Sequence, residues 1–210
     1  MTTALTLLVA FPVGWAIWTW AEYMLHRFAM HHLHGKGIMS REHLEHHVTS
    51  AWSFSHTHLL SWTGMLLVGA VLWGPLGWLV AGPVAGVAVG VGWAVGYFFY
   101  EYQHMVSHLK APKSRYQHLV RRHHFHHHFG APMKNHGVST PFWDRVFGSY
   151  EHPEQVRVPR RLALAWLVDG DGEILPEFRA DYVLVGARDA DERLLKLDRV
   201  RAFASIAPAD

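Results

Sequence analysis

Long apolar stretches alternate with polar, histidine-rich segments through the first two thirds of the chain. Ala4–Ala21, Leu59–Ala81 and Val84–Tyr100 contain no Asp, Glu, Lys or Arg. Each is close to the roughly 20 apolar residues that a helix needs to cross a bilayer. With their flanking residues they predict three membrane spans, over about 4–30, 59–81 and 84–108. Pro75 predicts a kink in the second, because proline removes a backbone donor and crowds the preceding turn. Gly82, Gly86, Gly90, Gly92 and Gly96 run into and along the third, and small residues at such spacing let helix backbones approach closely in lipid. The first stretch has neither a basic leader nor a small-residue cleavage site, so it reads as a span and not as a signal peptide.

The pattern changes after Pro153. A short apolar run, Leu162–Val168, is followed by the turn signal Asp169-Gly-Asp-Gly172, a strand-like Tyr182–Val185 and a helix-like Asp191–Phe203. The expected organisation is a membrane-embedded domain over 1–153 and a soluble tail over 154–210. The tail carries no recognisable chemistry and reads as a solvated cap or interaction segment. The expected fold class is all-α: a helical membrane bundle under a histidine-rich cap.

Charge sharpens this division. Residues 1–150 hold ten Lys/Arg against five Asp/Glu, and residues 151–210 hold nine against twelve. The 74–83 connection is uncharged, whereas Arg27, Lys36, Arg41, Lys110, Lys113, Arg115, Arg121 and Arg122 fall on the other side of the bundle. Positive residues stay in the cytoplasm, which predicts an outside N-terminus and cytoplasmic histidine segments. The basic residues flank apolar segments instead of forming a patch with its own fold, so nucleic acid is not an expected partner.

The chain has no cysteine but 19 histidines, of which 18 lie between His26 and His136. Any metal must therefore sit on His, Asp or Glu. Four clusters stand out: His26 with His31; His43, His46 and His47; His104 with His108; and the run His123-His124-Phe125-His126-His127-His128. Residues three and four apart share one helix face, so the second and third clusters each point one way. In the fourth, His123/His126/His127 and His124/His127/His128 satisfy the rule equally. His26 and His31 are five apart, which predicts that the helix ends between them and His31 folds back.

Together the clusters supply ten imidazoles. That is too many for one transition ion and suits two. His32, His34, His56, His58, His118 and His152 lack a partner at the right spacing. Glu22 and Glu101 precede ligand candidates by four and three residues and are candidates to orient rings, as ligating histidines usually donate their second N–H to a carboxylate or carbonyl. Glu42 and Glu45 read as solvated helix charges.

These segments resemble the fatty acid hydroxylase / sterol desaturase superfamily, and within it the fatty acid 2-hydroxylase branch. The resemblance lies in Glu22–His31, the His43 cluster, Tyr100–His108, the block His123–Phe129 and the following Gly137–Gly148. It covers roughly residues 15–150. The family's last cluster, aligned on Phe129, selects His124, His127 and His128 as ligands. The implied metal set is His26, His31, His43, His46, His47, His104, His108, His124, His127 and His128, with His123, His136 and Asp144 joining Glu22 and Glu101 as supporting candidates. His136 stands where the family usually has an aromatic residue.

The resemblance implies two iron ions, O2 as co-substrate and hydroxylation of a lipid drawn from the bilayer, although zinc can occupy such a site in purified material. No fused cytochrome b5 domain is recognisable, so the expected reductant is a separate protein of ferredoxin or cytochrome b5 type. Because the clusters sit at span ends, oxidation is expected near the lipid head group, as at C2. Competing readings are a sterol, carotenoid or other isoprenoid hydroxylase or desaturase of the same superfamily, and a non-catalytic metal-binding membrane protein.

Overall fold

The computed structural model describes residues 2–210. Helix α1 covers Thr3–Met24 and continues as a π-helical turn through Leu25–His31; α2 covers Ile38–Thr49. Helix α3 (His56–Val68) passes through a second π turn, Gly69–Trp73, into α4 (Gly74–Ala81). Then come α5 (Pro83–Leu109), α6 (Arg115–Phe129), the short α7 (Phe142–Val146), strand β1 (Val156–Pro159), strand β2 (Tyr182–Val185) and α8 (Glu192–Phe203). Among the described residues, Thr3–His31, His56–Ala81 and Pro83–Leu109 are the three helical segments long and apolar enough to cross a membrane. The protein is thus mostly helical, as expected, with one addition: β1 and β2 pair in parallel, Val156 opposite Tyr182.

The chain forms two compact units. The first takes the residues up to Glu22 together with Ser53–Tyr102. Its interior is small: Ala10, Ala85, Ala88 and Val89 pack together, and Trp18 meets the rings of Trp93 and Tyr97 edge-on at 5.1 and 4.9 Å. Its outside is apolar, with Val71, Leu79 and Val80 at 72, 82 and 85% exposure. Water does not tolerate so continuous an apolar surface, and lipid does.

Helices α1 and α5 touch backbone to backbone in this unit. A methyl on Gly14 would land on the Val89 carbonyl oxygen, and one on Gly92 would land on that of Phe11. The expected kink at Pro75 takes the form of the π turn before it. There the Gly74 N–H reaches back five residues to the Gly69 carbonyl, which widens the helix where the proline ring would otherwise crowd it.

The second unit takes Tyr23–Trp52 and Gln103–Asp210. Its hydrophobic core joins Phe125 and Phe129 of α6 to Val156, Val158, Leu164, Trp166, Leu167, Ile174, Phe178 and Tyr182. Residues beyond 153 therefore supply most of the apolar side chains under α6. Within the 162–168 run Leu164, Trp166 and Leu167 are buried, and Trp166 also donates its indole N–H to the Ser107 carbonyl at 2.9 Å. Arg121, counted above with the basic rim, is buried and donates to the Val106 and Lys110 carbonyls at 2.9 and 3.0 Å. It fastens the end of α5 to α6 instead of marking a surface.

Close packing at Gly92 sets a test. Gly92→Leu is expected to destabilise the protein by about 3 kcal/mol, at the upper end of overpacking penalties. Val91→Leu, at a half-exposed neighbouring position, is expected to change little. Thermal unfolding in detergent checks both.

Candidate metal centre

The second unit gathers histidines from four helical elements. Ring nitrogens of His26, His31, His43, His47 and His127 lie within 4.8 Å of one another, and so do those of His46, His104, His108, His124 and His128. Each group could hold a metal ion. All ten histidines singled out from the sequence fall in these two groups, and none of the other nine does.

Local backbone geometry explains how the pairs form. The helix does not end between His26 and His31, as the spacing of five had suggested. It widens into the π turn, with the His32 N–H bonded to the Arg27 carbonyl five residues back at 3.2 Å. In i→i+5 geometry residues five apart stack on one face, and both imidazoles enter the first group. Helix α2 divides its cluster: His43 and His47, one turn apart, serve the first group, and His46 serves the second. Helix α6 does the reverse, giving His124 and His128 to the second and His127 to the first. The rings of His47 and His128 stack at 4.2 Å where the groups adjoin.

Distances and tautomers together argue for cations. In the first group His43 Nε2 lies 3.0, 2.9 and 3.1 Å from the Nε2 atoms of His26, His31 and His47. His127 Nε2 lies 3.0 and 3.1 Å from those of His31 and His47. In the second, His46 is 3.0 Å from His104 and 3.1 Å from His108, and His108 is 2.9 Å from His124.

Neutral imidazole carries one proton. The Nδ1 atoms of His46 and His108 face the carbonyl oxygens of Ala51 and Ser50 at 3.0 and 2.9 Å, so each proton resides there. Their Nε2 lone pairs then face each other across 3.1 Å, which is repulsive unless a cation lies between them. Ligands about 2.1 Å from a metal at right angles are about 3.0 Å apart, against about 3.4 Å for a tetrahedral set. The observed spacings fit the right-angled case, and the donor set fits a five-nitrogen site.

The environment keeps the rings neutral. Burial, and next the neighbouring imidazoles, hold His43, His47, His124, His127 and His128 well below the usual imidazole range. Their lone pairs are therefore available at neutral pH. The second N–H groups are braced by backbone: His127 donates from Nδ1 to the Lys134 carbonyl at 2.7 Å, and His26 to the His136 carbonyl.

The supporting candidates separate clearly. Asp144 is fully buried and gathers four donors: the backbone N–H groups of His136 and Gly137, the Ser149 hydroxyl, each at 2.8 Å, and His123 Nε2 at 2.9 Å. It fixes the loop whose His136 carbonyl braces His26. His123 therefore points to Asp144 and not into either group. His136 is also buried, with its ring 5.5 Å from those of His26 and His127. Glu22 and Glu101 fall in the first unit, where Glu101 lies beside Tyr97 and Trp62. Sequence reasoning missed the carbonyls of Ser50, Ala51, Lys134 and His136, because a carbonyl has no sequence signature. It also missed Ser205, which meets His31 Nδ1 at 3.1 Å.

Comparison with known proteins fits this geometry. The fatty acid hydroxylase family matches residues 11–149. The chain belongs to the fatty acid hydroxylase family. Among its members, the dihydroceramide fatty acyl 2-hydroxylase FAH2 of Arabidopsis thaliana is 34% identical over 153 residues, covering 68% of this chain and 60% of that protein. The ceramide very long chain fatty acid hydroxylase scs7 of Schizosaccharomyces pombe is 30% identical, covering 66% and 41%. Rat fatty acid 2-hydroxylase is 29% identical, covering 65% and 38%. The chain thus spans at most about three fifths of the length of these family members. The hydroxylase domain visible in the structure of full-length scs7p shares the fold, with a TM-score of 0.54 and 21% identity over 73% of this chain and 59% of that one. The three apolar helices and the family mark an integral membrane protein.

Asp144 makes the site sensitive to acid. Burial alone would raise its pKa, but hydrogen bonds from His123, His136 and Gly137 hold it well below the usual carboxylate range. Its stabilising contribution is complete above about pH 4, the unfolded value, and is lost as pH falls toward the lower folded value. Asp144→Asn keeps the shape but leaves donors facing an amide. It is expected to lower stability by about 3 kcal/mol at pH 7 and to flatten the acid limb of a plot of Tm against pH.

Proposed function

We propose that this chain is a membrane-bound oxygenase that holds two iron ions and hydroxylates a lipid acyl chain near its head group, at a C2-like position. The observation that carries this reading is the pair of five-imidazole groups with Nε2 atoms spaced at 2.9–3.1 Å. One ion would sit among His26, His31, His43, His47 and His127, the other among His46, His104, His108, His124 and His128. Bound iron supplies the dioxygen activation that C–H hydroxylation requires and side chains lack. One oxygen atom enters the C–H bond, and the other leaves as water after taking up two electrons and two protons.

The chain's own residues set the conditions. All-imidazole coordination would leave the positive charge of bound ions uncompensated, and the largely buried rings exclude bulk water from the site. Asp144 and the loop carbonyls fix ring orientation, so little reorganisation is needed when substrate arrives. His26 and His31 close one apolar span, and His104 and His108 close another. Ligands at that depth favour attack close to a lipid's head group over its methyl end. The relatives named as fatty acyl 2-hydroxylases support the same position.

The uncharged turn at Gly82 between the second and third spans and the basic residues near the opposite helix ends, Arg27, Lys36, Arg41, Lys110, Lys113, Arg115 and Arg122, support a cytoplasmic metal site. Reducing equivalents then come from a cytoplasmic-facing carrier of ferredoxin or cytochrome b5 type.

Lipid analysis of a host expressing the protein under 18O2 tests the reading, beside iron analysis of material purified from iron-replete cells. The expected product is an acyl lipid carrying one labelled oxygen at C2, absent in His46→Ala, His108→Ala and His127→Ala. His124→Ala is expected to abolish product, whereas His123→Ala, outside both groups, leaves measurable turnover. Hydroxylation confined to the distal end of the chain, or on a sterol or isoprenoid instead, would overturn the substrate assignment. Product unchanged in the three alanine variants would overturn the shared site, and metal binding without oxygen-dependent product would favour a metal-binding role without catalysis.

A further inference from the structure

The C-terminal helix reaches a metal-group histidine from far outside the region that the family matches. Helix α8 is capped at its start by Asp191, whose carboxylate accepts from the Leu194 N–H at 2.7 Å. It is anchored midway by Asp198, which receives the Arg161 guanidinium through two bonds of 2.8 and 2.9 Å with both partners under 5% exposed. Arg161 also donates to the Ala209 carbonyl at 2.7 Å, and the Ala209 N–H returns to Asp198 at 2.9 Å. Arg199 pairs with Glu45 on α2, the helix that carries His43, His46 and His47. The Phe203 carbonyl accepts from His34 Nδ1 at 3.2 Å. The Phe203 ring lies against Gly35, where a methyl would stand 2.7 Å from it.

This arrangement ends at Ser205. Its hydroxyl accepts from His31 Nδ1 at 3.1 Å and donates to the carbonyl of the same His31 at 3.3 Å, across 174 residues of sequence. Ser205 is buried and sits at φ +53°, in the left-handed region that glycine occupies more easily than serine. A residue held in a less favourable backbone region by its surroundings is a pointer to function. Here the hydroxyl is what glycine would lack.

We propose that Ser205 is a positioning residue for the metal centre, and that α8 is built to deliver it. Accepting the Nδ1 proton fixes His31 in the tautomer whose Nε2 lone pair faces His43 and His127. The inference rests on the metal-centre reading above and extends it to a segment beyond residue 149. It concerns one group only, the one that His31 belongs to, because His31 is the histidine that the Ser205 hydroxyl meets.

Metal release from the full-length protein in detergent tests this. Wild-type, Ser205→Gly and Ser205→Ala proteins are loaded with Co2+ and titrated with a chelator, following both bound metal and the ligand-field spectrum. In wild type, two equivalents are expected to be held. In both variants one equivalent is expected to be released at about tenfold lower chelator concentration, in line with the usual effect of removing a residue that braces a metal ligand, with the spectrum of that site changed and the other equivalent unaffected. Glycine relieves the backbone at φ +53°, so metal-free Ser205→Gly is expected to unfold no earlier than metal-free wild type. Two equivalents in wild type with identical release and spectra in both variants would overturn the role of Ser205 alone. Equal weakening of both sites together with earlier unfolding of the metal-free variants would make Ser205 structural and also overturn it. A wild-type chain that holds no metal would overturn the metal-centre reading and this inference together.

Discussion

Ten imidazoles turned toward one another make an arrangement that a folded chain cannot hold comfortably by itself. His46 and His108 state the problem most plainly, because both have spent their only N–H on a backbone carbonyl and face each other with lone pairs at 3.1 Å. A cation between them would convert that repulsion into attraction, and the spacing is the one that ligation at right angles would require. Burial contributes a second constraint. Rings that cannot protonate stay available as ligands, and a site closed to bulk water keeps its electrostatic strength. Most other features of the second unit serve to hold these rings still.

Two devices do that holding. One is the division of labour within helices. Because α2 and α6 each supply both groups in opposite proportions, rotating either helix would disturb both sites, and the stacked rings of His47 and His128 fix their separation. The other is the surrounding set of acceptors. Asp144 organises the 136–149 loop, the carbonyls of Ser50 and Ala51 follow the left-handed C-terminus of α2 at Ser50, and Ser205 arrives from α8. The apolar residues beyond 153 that pack on Phe125 and Phe129 support α6 from behind. Those apolar residues thereby stabilise the helix with the densest run of histidines.

Much of this protein was legible in its sequence. Apolar length is a local property, so the three spans could be read directly. Helical spacing is local too, which is why His104 and His108 could be placed on one face and the number of clustered rings pointed to two ions; it also put His43, His46 and His47 together, and the folded chain divides those three between the two groups. Spacing left His123/His126/His127 and His124/His127/His128 open, and similarity to a family chose between them. The folded chain places His123 against Asp144 and His126 against Glu151, outside both groups.

What the sequence determined by itself was the set of histidine clusters and the helices that carry them, because both depend on residues about a turn apart. Tertiary structure decided the rest. The π turn at Leu25–His31 could not be read from spacing alone, since a five-residue interval fits a broken helix as well as a widened one, and only the surrounding rings select the second. The allocation of each histidine to one group or the other depends on how helices from distant parts of the chain face each other. The acceptors that fix each tautomer are mostly backbone carbonyls, and Ser205 lies 174 residues from its partner. Interactions of that kind are set by three-dimensional proximity, which no local pattern encodes.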